Sequence, residues 1–430
     1  MSTLQAIRGT RDILPSEAPL WAVIEELSRQ VLSQSAYREI RTPIFEQTEL
    51  FARGIGEATD AVGKEMYSFE DRGGRSIALR PEITAGLVRA FIQNKLFAQG
   101  GVQRLWHLGP AFRYERPQAG RQRQFHQLDV EILGSRDPRA DVEIIAVATQ
   151  ILNALGLTAL TLDLNSVGSG EDRQTYRDAL VSYFTPYRDE LDEDSRDRLT
   201  RNPLRILDSK DNRTQEIVTD APSLLDYLSE DSQRHFDDVQ QHLTNLNISF
   251  NIKPRLVRGL DYYTHTAFEI QSSDLGAQAT VCGGGRYDGL VAQLGGPDTP
   301  AIGFGMGLER LIILLEKMER YSTTPELDVY LISRGEKAEF QSVALADQLR
   351  KHGYSVEVDL SSSAFGKQFK RADRSGAVLG LVLGEAEAEA GKVQLKWLAS
   401  GEQDELGQSE LIDRADEIKS LIAQNRSQVT

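Results

Sequence analysis

The chain has one cysteine, Cys282, among its 430 residues. It can close no internal disulfide and cannot supply the several thiolates of a zinc cage, and such a composition fits a reducing compartment, so a cytoplasmic location is expected. Long apolar runs are missing too, since no stretch reaches the roughly 18 consecutive apolar residues of a membrane helix. The opening segment, MSTLQAIRGTRDILP, is charged and lacks an apolar core, so neither secretion nor membrane insertion is expected. Positive charge is in deficit: 49 Lys and Arg stand against 64 Asp and Glu, a net charge of −15. That balance excludes a protein that coats nucleic acid nonspecifically, and any nucleic-acid partner must be met by local basic patches. Two familiar phosphate loops are also absent. No glycine is followed by four residues and Gly-Lys-Ser/Thr, and Leu308 stands where a dinucleotide-binding turn needs its third glycine.

What is present is enough apolar sequence, 40%, to bury several cores, and at about 150 residues per domain the length implies about three structural units. Leu20, Ile24, Leu27 and Val31 share one helix face, with Ser16 as the expected N-cap. Residues 105–134 read as an antiparallel hairpin whose tip, Arg116-Pro117-Gln118-Ala119-Gly120-Arg121, is basic and punctuated by Pro and Gly. The period of two sorts its second strand into a core face, His126, Leu128, Val130 and Ile132, and a polar face, Phe125, Gln127, Asp129 and Glu131. A charged helical stretch at about 171–251 interrupts this sheet-forming region, which resumes with strands and glycines before an apolar helix over 308–318. The predicted fold class is α/β in the broad sense. An α+β domain on an antiparallel sheet spans 1–325, interrupted by the helical insertion, and a separate α/β domain with a largely parallel sheet spans 326–430. The Glu-Ala run at 385–390 reads as a solvated turn.

Gly303, Gly305 and Gly307 precede the 308–318 helix, and Arg310 lies in its first turn. Backbone N–H groups, the helix dipole and a guanidinium would then converge on an anion, with triphosphate the natural candidate. In the C-terminal region Lys367, Lys370, Arg371 and Arg374 recur at i, i+3, i+4 and i+7, a basic stripe on one helix face.

Three strings resemble the signature motifs of class II aminoacyl-tRNA synthetases: Thr42-Pro43-Ile44-Phe45-Glu46 with its following helix, the FRYER hairpin at 112–116, and GFGMGLER at 303–310. Two more, RGLDYYT at 258–264 and CGGGRYDGL at 282–290, resemble the histidine-specific motifs of the histidyl-tRNA synthetase family. RNPLRILDSK at 201–210 is similar to the insertion of its bacterial members. The likeness covers nearly the whole chain. Departures are few: Ile83 in RPEITAG replaces a frequent glycine, and the tail from 384 to 407 is only loosely family-like.

The resemblance implies an enzyme that activates L-histidine with ATP and then transfers it to the 3′ end of tRNA(His). Negative charge accumulates as a carboxylate attacks a phosphate, so arginine forks suit the site. By resemblance Arg113 and Arg258 flank the reacting centre, Arg310 holds the distal phosphates, Phe125 and Gly305 belong to the ATP site, and Mg²⁺ bridges phosphate oxygens without a protein metal cage. Glu82, Thr84 and Gln127 would hold the ammonium of histidine, Glu131 and Tyr263 its imidazole, while Tyr262 and Tyr287 shape the pocket. Arg116, Gln118, Arg121 and Arg123 would meet the tRNA acceptor end, and Lys367, Lys370, Arg371 and Arg374 the anticodon stem or loop. A homodimer is implied through the first motif. The rival reading, a synthetase-like regulatory subunit that binds histidine without charging tRNA, needs neither the C-terminal domain nor the three arginines together.

Overall fold

The computed structural model describes residues 3–56, 59–207, 209–256, 262–278, 280–321 and 327–427. The chain divides into two compact units, residues 1–321 and 322–430.

The first unit is built on an eight-stranded sheet. Its spatial order is Arg38–Glu39, Gln103–Phe112, Gln124–Leu133, Ala301–Gly307, Thr280–Arg286, Thr264–Ser272, Leu160–Ser166, Asn251–Ile252. The six long strands pair antiparallel, and only the two short edge strands run parallel to their neighbours. One face is apolar: Leu128, Val130, Ile132, Phe304 and Met306 pack against the helices Ala18–Gln34, Pro138–Ala154, Glu230–Asn245 and Leu308–Met318. The first of these helices begins one residue later than expected. Glu17 rather than Ser16 precedes it, and Pro19, with its fixed φ and missing N–H, suits the first turn. The Pro138–Ala154 helix is capped by Asp137, whose side chain accepts the Arg139 N–H at 2.9 Å.

The insertion opens with Gly170–Phe184, held by a capping box in which Ser169 and Asp172 satisfy each other's backbone N–H. Tyr176, Leu180, Phe184, Leu199 and Ile217 give it a core of its own. Its last helix, Glu230–Asn245, packs instead into the main core through Phe236, Val239 and Leu243. A small sheet of Phe45–Gln47, Ser76–Leu79 and Ser68–Glu70 lies apart from the large one.

In the second unit Val356–Val358, Val329–Ser333 and Leu379–Leu383 run parallel, and Lys392–Trp397 and Gln403–Gly407 extend the sheet antiparallel. The sequence reading missed that hairpin. It also mistook residues 385–390 for a turn: they form the helix Glu385–Ala390, in which Glu and Ala follow their own helix propensity, Glu387 accepts the Gly384 N–H at 3.1 Å and Ala388 is buried. Among the described residues no helix is long and apolar enough to cross a membrane.

One ion pair ties the main sheet to its helices. Arg286, fully buried at a strand end, bonds both oxygens of the buried Asp141, donates to Ser135 O at 2.7 Å and meets Asp288 at 3.1 Å. Burial alone raises the Asp141 carboxyl, but Arg286 and His235 more than reverse this and hold it at about 2. Because the folded value is depressed, this stabilisation is complete above the ordinary carboxylate range and lost as pH falls toward 2. Asp141→Asn leaves the guanidinium without its buried counter-charge. It should cost about 3–5 kcal/mol in denaturant unfolding at pH 7, the gap to the parent closing as pH falls below about 4.

Candidate active site

The polar face of the Gln124–Leu133 strand opens into a cavity of about 440 Å³. Phe125, Gln127, Asp129 and Glu131 all line it, as the alternation of side chains requires. What makes room for them is the neighbouring strand. Gly303 lies opposite Glu131, Gly305 opposite Asp129 and Gly307 opposite Gln127. A Cβ at Gly303 would stand 1.5 Å from Glu131 Oε2, and one at Gly305 3.0 Å from Gln127 Nε2. These glycines therefore do a different task from the one their pattern suggested. Gly303 and Gly305 sit where the strand is paired on both sides, so their backbone groups serve the sheet ladder rather than an anion. Gly305 contributes empty space.

Glu131 is fixed from two directions: Thr84 Oγ1 donates to Oε1 at 2.8 Å and Tyr287 OH to Oε2 at 2.6 Å. Burial pushes this carboxyl up to about 8, against the downward pull of the two hydroxyls. Thr84 opens the helix Thr84–Gln93, and Glu82 just before it accepts the Ala85 N–H at 2.8 Å. Burial raises the Glu82 carboxyl as well. Tyr262 forms an aromatic wall between Tyr263 and Tyr287, with ring centroids 4.8 and 5.5 Å away. Tyr263 packs over Gly285, where a Cβ would lie 2.8 Å from its ring.

Cationic groups occupy the other end. Arg113 lies one residue past its strand, with its guanidinium 5.4 Å from the Phe125 ring centre and its Nε donating to Pro81 O at 2.8 Å. Arg310, in the first turn of Leu308–Met318, donates to Thr280 O and is touched by the hairpin tip: a Cβ at Gly120 would stand 3.1 Å from its Cγ. The cavity thus joins an acidic, hydroxyl-rich and aromatic end to the guanidiniums of Arg113 and Arg310, and Arg121 and Arg205 also line it.

Comparison with known proteins agrees with this geometry. A family model described as histidyl-tRNA synthetase matches residues 9–311, and one described as anticodon binding domain matches residues 328–418. The chain belongs to the histidyl-tRNA synthetase family. It is 67% identical to a histidine–tRNA ligase of Synechocystis over 99% of this chain and 95% of that one. Identity to a histidine–tRNA ligase of Synechococcus elongatus is 66%, over 99% and 98%. Among solved structures, apo histidyl-tRNA synthetase of S. aureus superposes with a TM-score of 0.82 at 37% identity, covering 96% of this chain and 99% of that one.

Within this synthetase fold, the sequence motifs brought Glu82, Thr84, Arg113 and Arg310 from distant stretches to one cavity with the 125–131 strand and the three tyrosines. Arg258 lies outside the described residues. At the hairpin tip Arg116 and Gln118 are exposed, and Arg121 pairs with Glu115 at 3.2 Å. Arg123 is drawn inward, its guanidinium 3.9 Å from the Tyr114 ring centre and its Nε on Glu115 O at 3.3 Å. In the C-terminal unit Lys367, Lys370 and Arg374 are exposed on the helix Phe365–Ser375. Arg371 departs from the stripe: it bonds the buried Asp359 at 2.8 Å and the Ser361 and Ser363 hydroxyls, since a buried carboxylate needs a cation more than the surface does. Arg371 is thus already paired within the protein, although its side chain remains 41% exposed. The motifs gave no role to Asp129, although its place between Gln127 and Glu131 on the same strand face was the signal for one.

Gly303→Ala puts a methyl group where the Glu131 carboxylate now lies. A crystal structure of the variant should have that side chain turned away from Thr84 and Tyr287, with a stability loss of about 1–3 kcal/mol.

Proposed function

We propose that the chain catalyses both steps of histidine–tRNA ligation in the cavity just described. In the first, a carboxylate oxygen of L-histidine attacks the α-phosphorus of ATP, the bond to the β-phosphate breaks, and histidyl-adenylate and pyrophosphate form. In the second, a hydroxyl of the terminal ribose of tRNA(His) attacks the adenylate carbonyl and AMP leaves. The observation that carries this reading is the joining, in one cavity, of a doubly hydrogen-bonded Glu131 with the guanidiniums of Arg113 and Arg310.

Histidine presents an ammonium, a carboxylate and an imidazole. Thr84 and Tyr287 hold Glu131 so that it meets an imidazole nitrogen, with Tyr263 beside it and Tyr262 walling the ring. A site whose polar groups stay unpaired without the right side chain rejects analogues by about 10⁴ to 10⁵, which makes separate editing unnecessary. Glu82 and Gln127 attend the ammonium. Arg113, Arg258 and Arg310 attend the phosphates, Phe125 supports Arg113, and catalysis rests on positioning and charge rather than on a covalent enzyme intermediate.

Among the described residues no group of three His, Cys, Asp or Glu side chains is arranged to hold a metal ion. Mg²⁺ fits as a companion of the nucleotide, and Glu115, which lines the cavity with Arg310, would help to hold it. Bound there, it would neutralise the β- and γ-phosphates.

Arg116, Gln118 and Arg121 suit the acceptor end of tRNA, and Lys367, Lys370 and Arg374 the anticodon arm. A second copy of the chain suits the small sheet, where Ile44, Phe45 and Phe69 are 41%, 58% and 50% exposed, an apolar surface that a homodimer would cover. The single cysteine fits a cytoplasmic enzyme.

Histidine-dependent exchange of pyrophosphate into ATP tests the first step, and its absence in the purified chain would remove the proposal. Arg258→Ala should lower the exchange kcat by about 10²- to 10³-fold with little change in histidine KM. Reversing the charges of Lys367, Lys370 and Arg374 together should leave exchange intact while weakening tRNA binding and flattening its salt dependence. Unchanged tRNA affinity would detach these residues from the anticodon arm.

A further inference from the structure

Asp129 is 3% exposed and lines the cavity, yet its Oδ2 has no hydrogen-bond partner among the described residues. It stands between His107 on one neighbouring strand and Gly305 on the other, and the missing side chain of Gly305 leaves its carboxyl open to the cavity: a Cβ there would be 3.3 Å from Oδ1. Two residues away on the same strand face, Gln127 Oε1 is also buried without a partner. Both orphaned atoms are acceptors. The group that satisfies them must bring N–H or O–H donors, and a cation satisfies the carboxylate best.

Among the described residues none supplies such a donor. The charged groups that face Asp129 are Glu131, Glu82, Arg80 and Arg113. Arg80 gives its Nε to Pro110 O at 2.7 Å and its Nη1 to Thr42 O and Oγ1 at 3.2 Å, while Arg113 Nε is given to Pro81 O. Neither bonds Asp129. Burial, with Glu131 and Glu82 nearby, raises the Asp129 carboxyl well above its ordinary range, as expected of an acid awaiting a counter-charge.

We propose that Asp129 binds the α-ammonium of L-histidine, with Gln127 Oε1 as its companion acceptor, and that this carboxylate makes the site select an amino acid over the same imidazole acid lacking the amine. The inference rests on the cavity being the histidine site and adds a specificity-determining residue that no motif marked.

The test compares L-histidine with 3-(imidazol-4-yl)propionate, its desamino analogue, by calorimetric binding to the full-length protein and by competition in pyrophosphate exchange. The parent should favour histidine. Asp129→Asn should lose about 10- to 100-fold in histidine affinity, keep its affinity for the desamino compound within about twofold, and keep its KM for ATP. Its thermal midpoint should equal or exceed that of the parent, since a buried carboxyl without a partner has been removed. Equal loss for both ligands, no loss for either, or a lowered midpoint with ATP binding also weakened would make Asp129 a packing residue and overturn the proposal. Asp129→Ser reads the same ligand ratio should the Asn variant not fold. A parent without histidine-dependent exchange would instead sink the enzymatic reading. A parent that exchanges, beside a variant whose ligand ratio has not changed, would sink only this inference.

Discussion

Everything in the site depends on the register between the strand Gln124–Leu133 and the glycine strand Ala301–Gly307. Three polar side chains, Gln127, Asp129 and Glu131, project from one strand, and at each facing position the partner has only a hydrogen atom. A slip of one residue in the glycine strand would turn Phe304 and Met306 into the cavity against these side chains. The same alternation that seats Leu128, Val130 and Ile132 among the helices on one side therefore creates a polar cavity on the other. Sheet pairing comes first here, and binding chemistry is a consequence of it.

That cavity gathers Glu82, Asp129 and Glu131 out of water, and each carboxyl is raised by burial. Such a group of acids opposes its own ionisation until cations enter. The contrast with Asp141 is instructive. It is equally buried on the other side of the sheet but bonded to Arg286, and it is held at about 2. One acid belongs to the scaffold because its counter-charge is built in; the others suit a ligand because theirs is not. Arg286 and Tyr287 are adjacent in sequence and divide these tasks, one anchoring the strand end to the Pro138–Ala154 helix and the other steadying Glu131.

The added elements serve partners of larger size. The hairpin tip rests on Arg310 through Gly120, so a contact made at the tip bears directly on the cationic end of the cavity. The insertion has its own core but returns through a helix, Glu230–Asn245, that packs into the main one, which fixes where the interrupted sheet resumes. In the C-terminal unit Arg371 shows how a buried acid reassigns a cation: Asp359 takes it from the stripe and leaves Lys367, Lys370 and Arg374 outside.

The sequence alone determined the hairpin, the two faces of its second strand, the helix over 308–318, the charged insertion and the family, because period-two and period-3.6 patterns and local motifs are written in consecutive residues. Its motifs also named Glu82, Thr84, Arg113, Gln127, Glu131, Arg310 and the three tyrosines, all of which line the cavity. Tertiary structure decided the rest. Only strand register revealed that Gly303 and Gly305 make space rather than bind an anion, and that Thr84 and Tyr287 both hold Glu131. Only the fold gave Arg371 and Arg123 the partners that set them apart from their neighbours and left Asp129 buried without one. Register, burial and unpaired acceptors are properties of residues distant in sequence, and no window along the chain contains them.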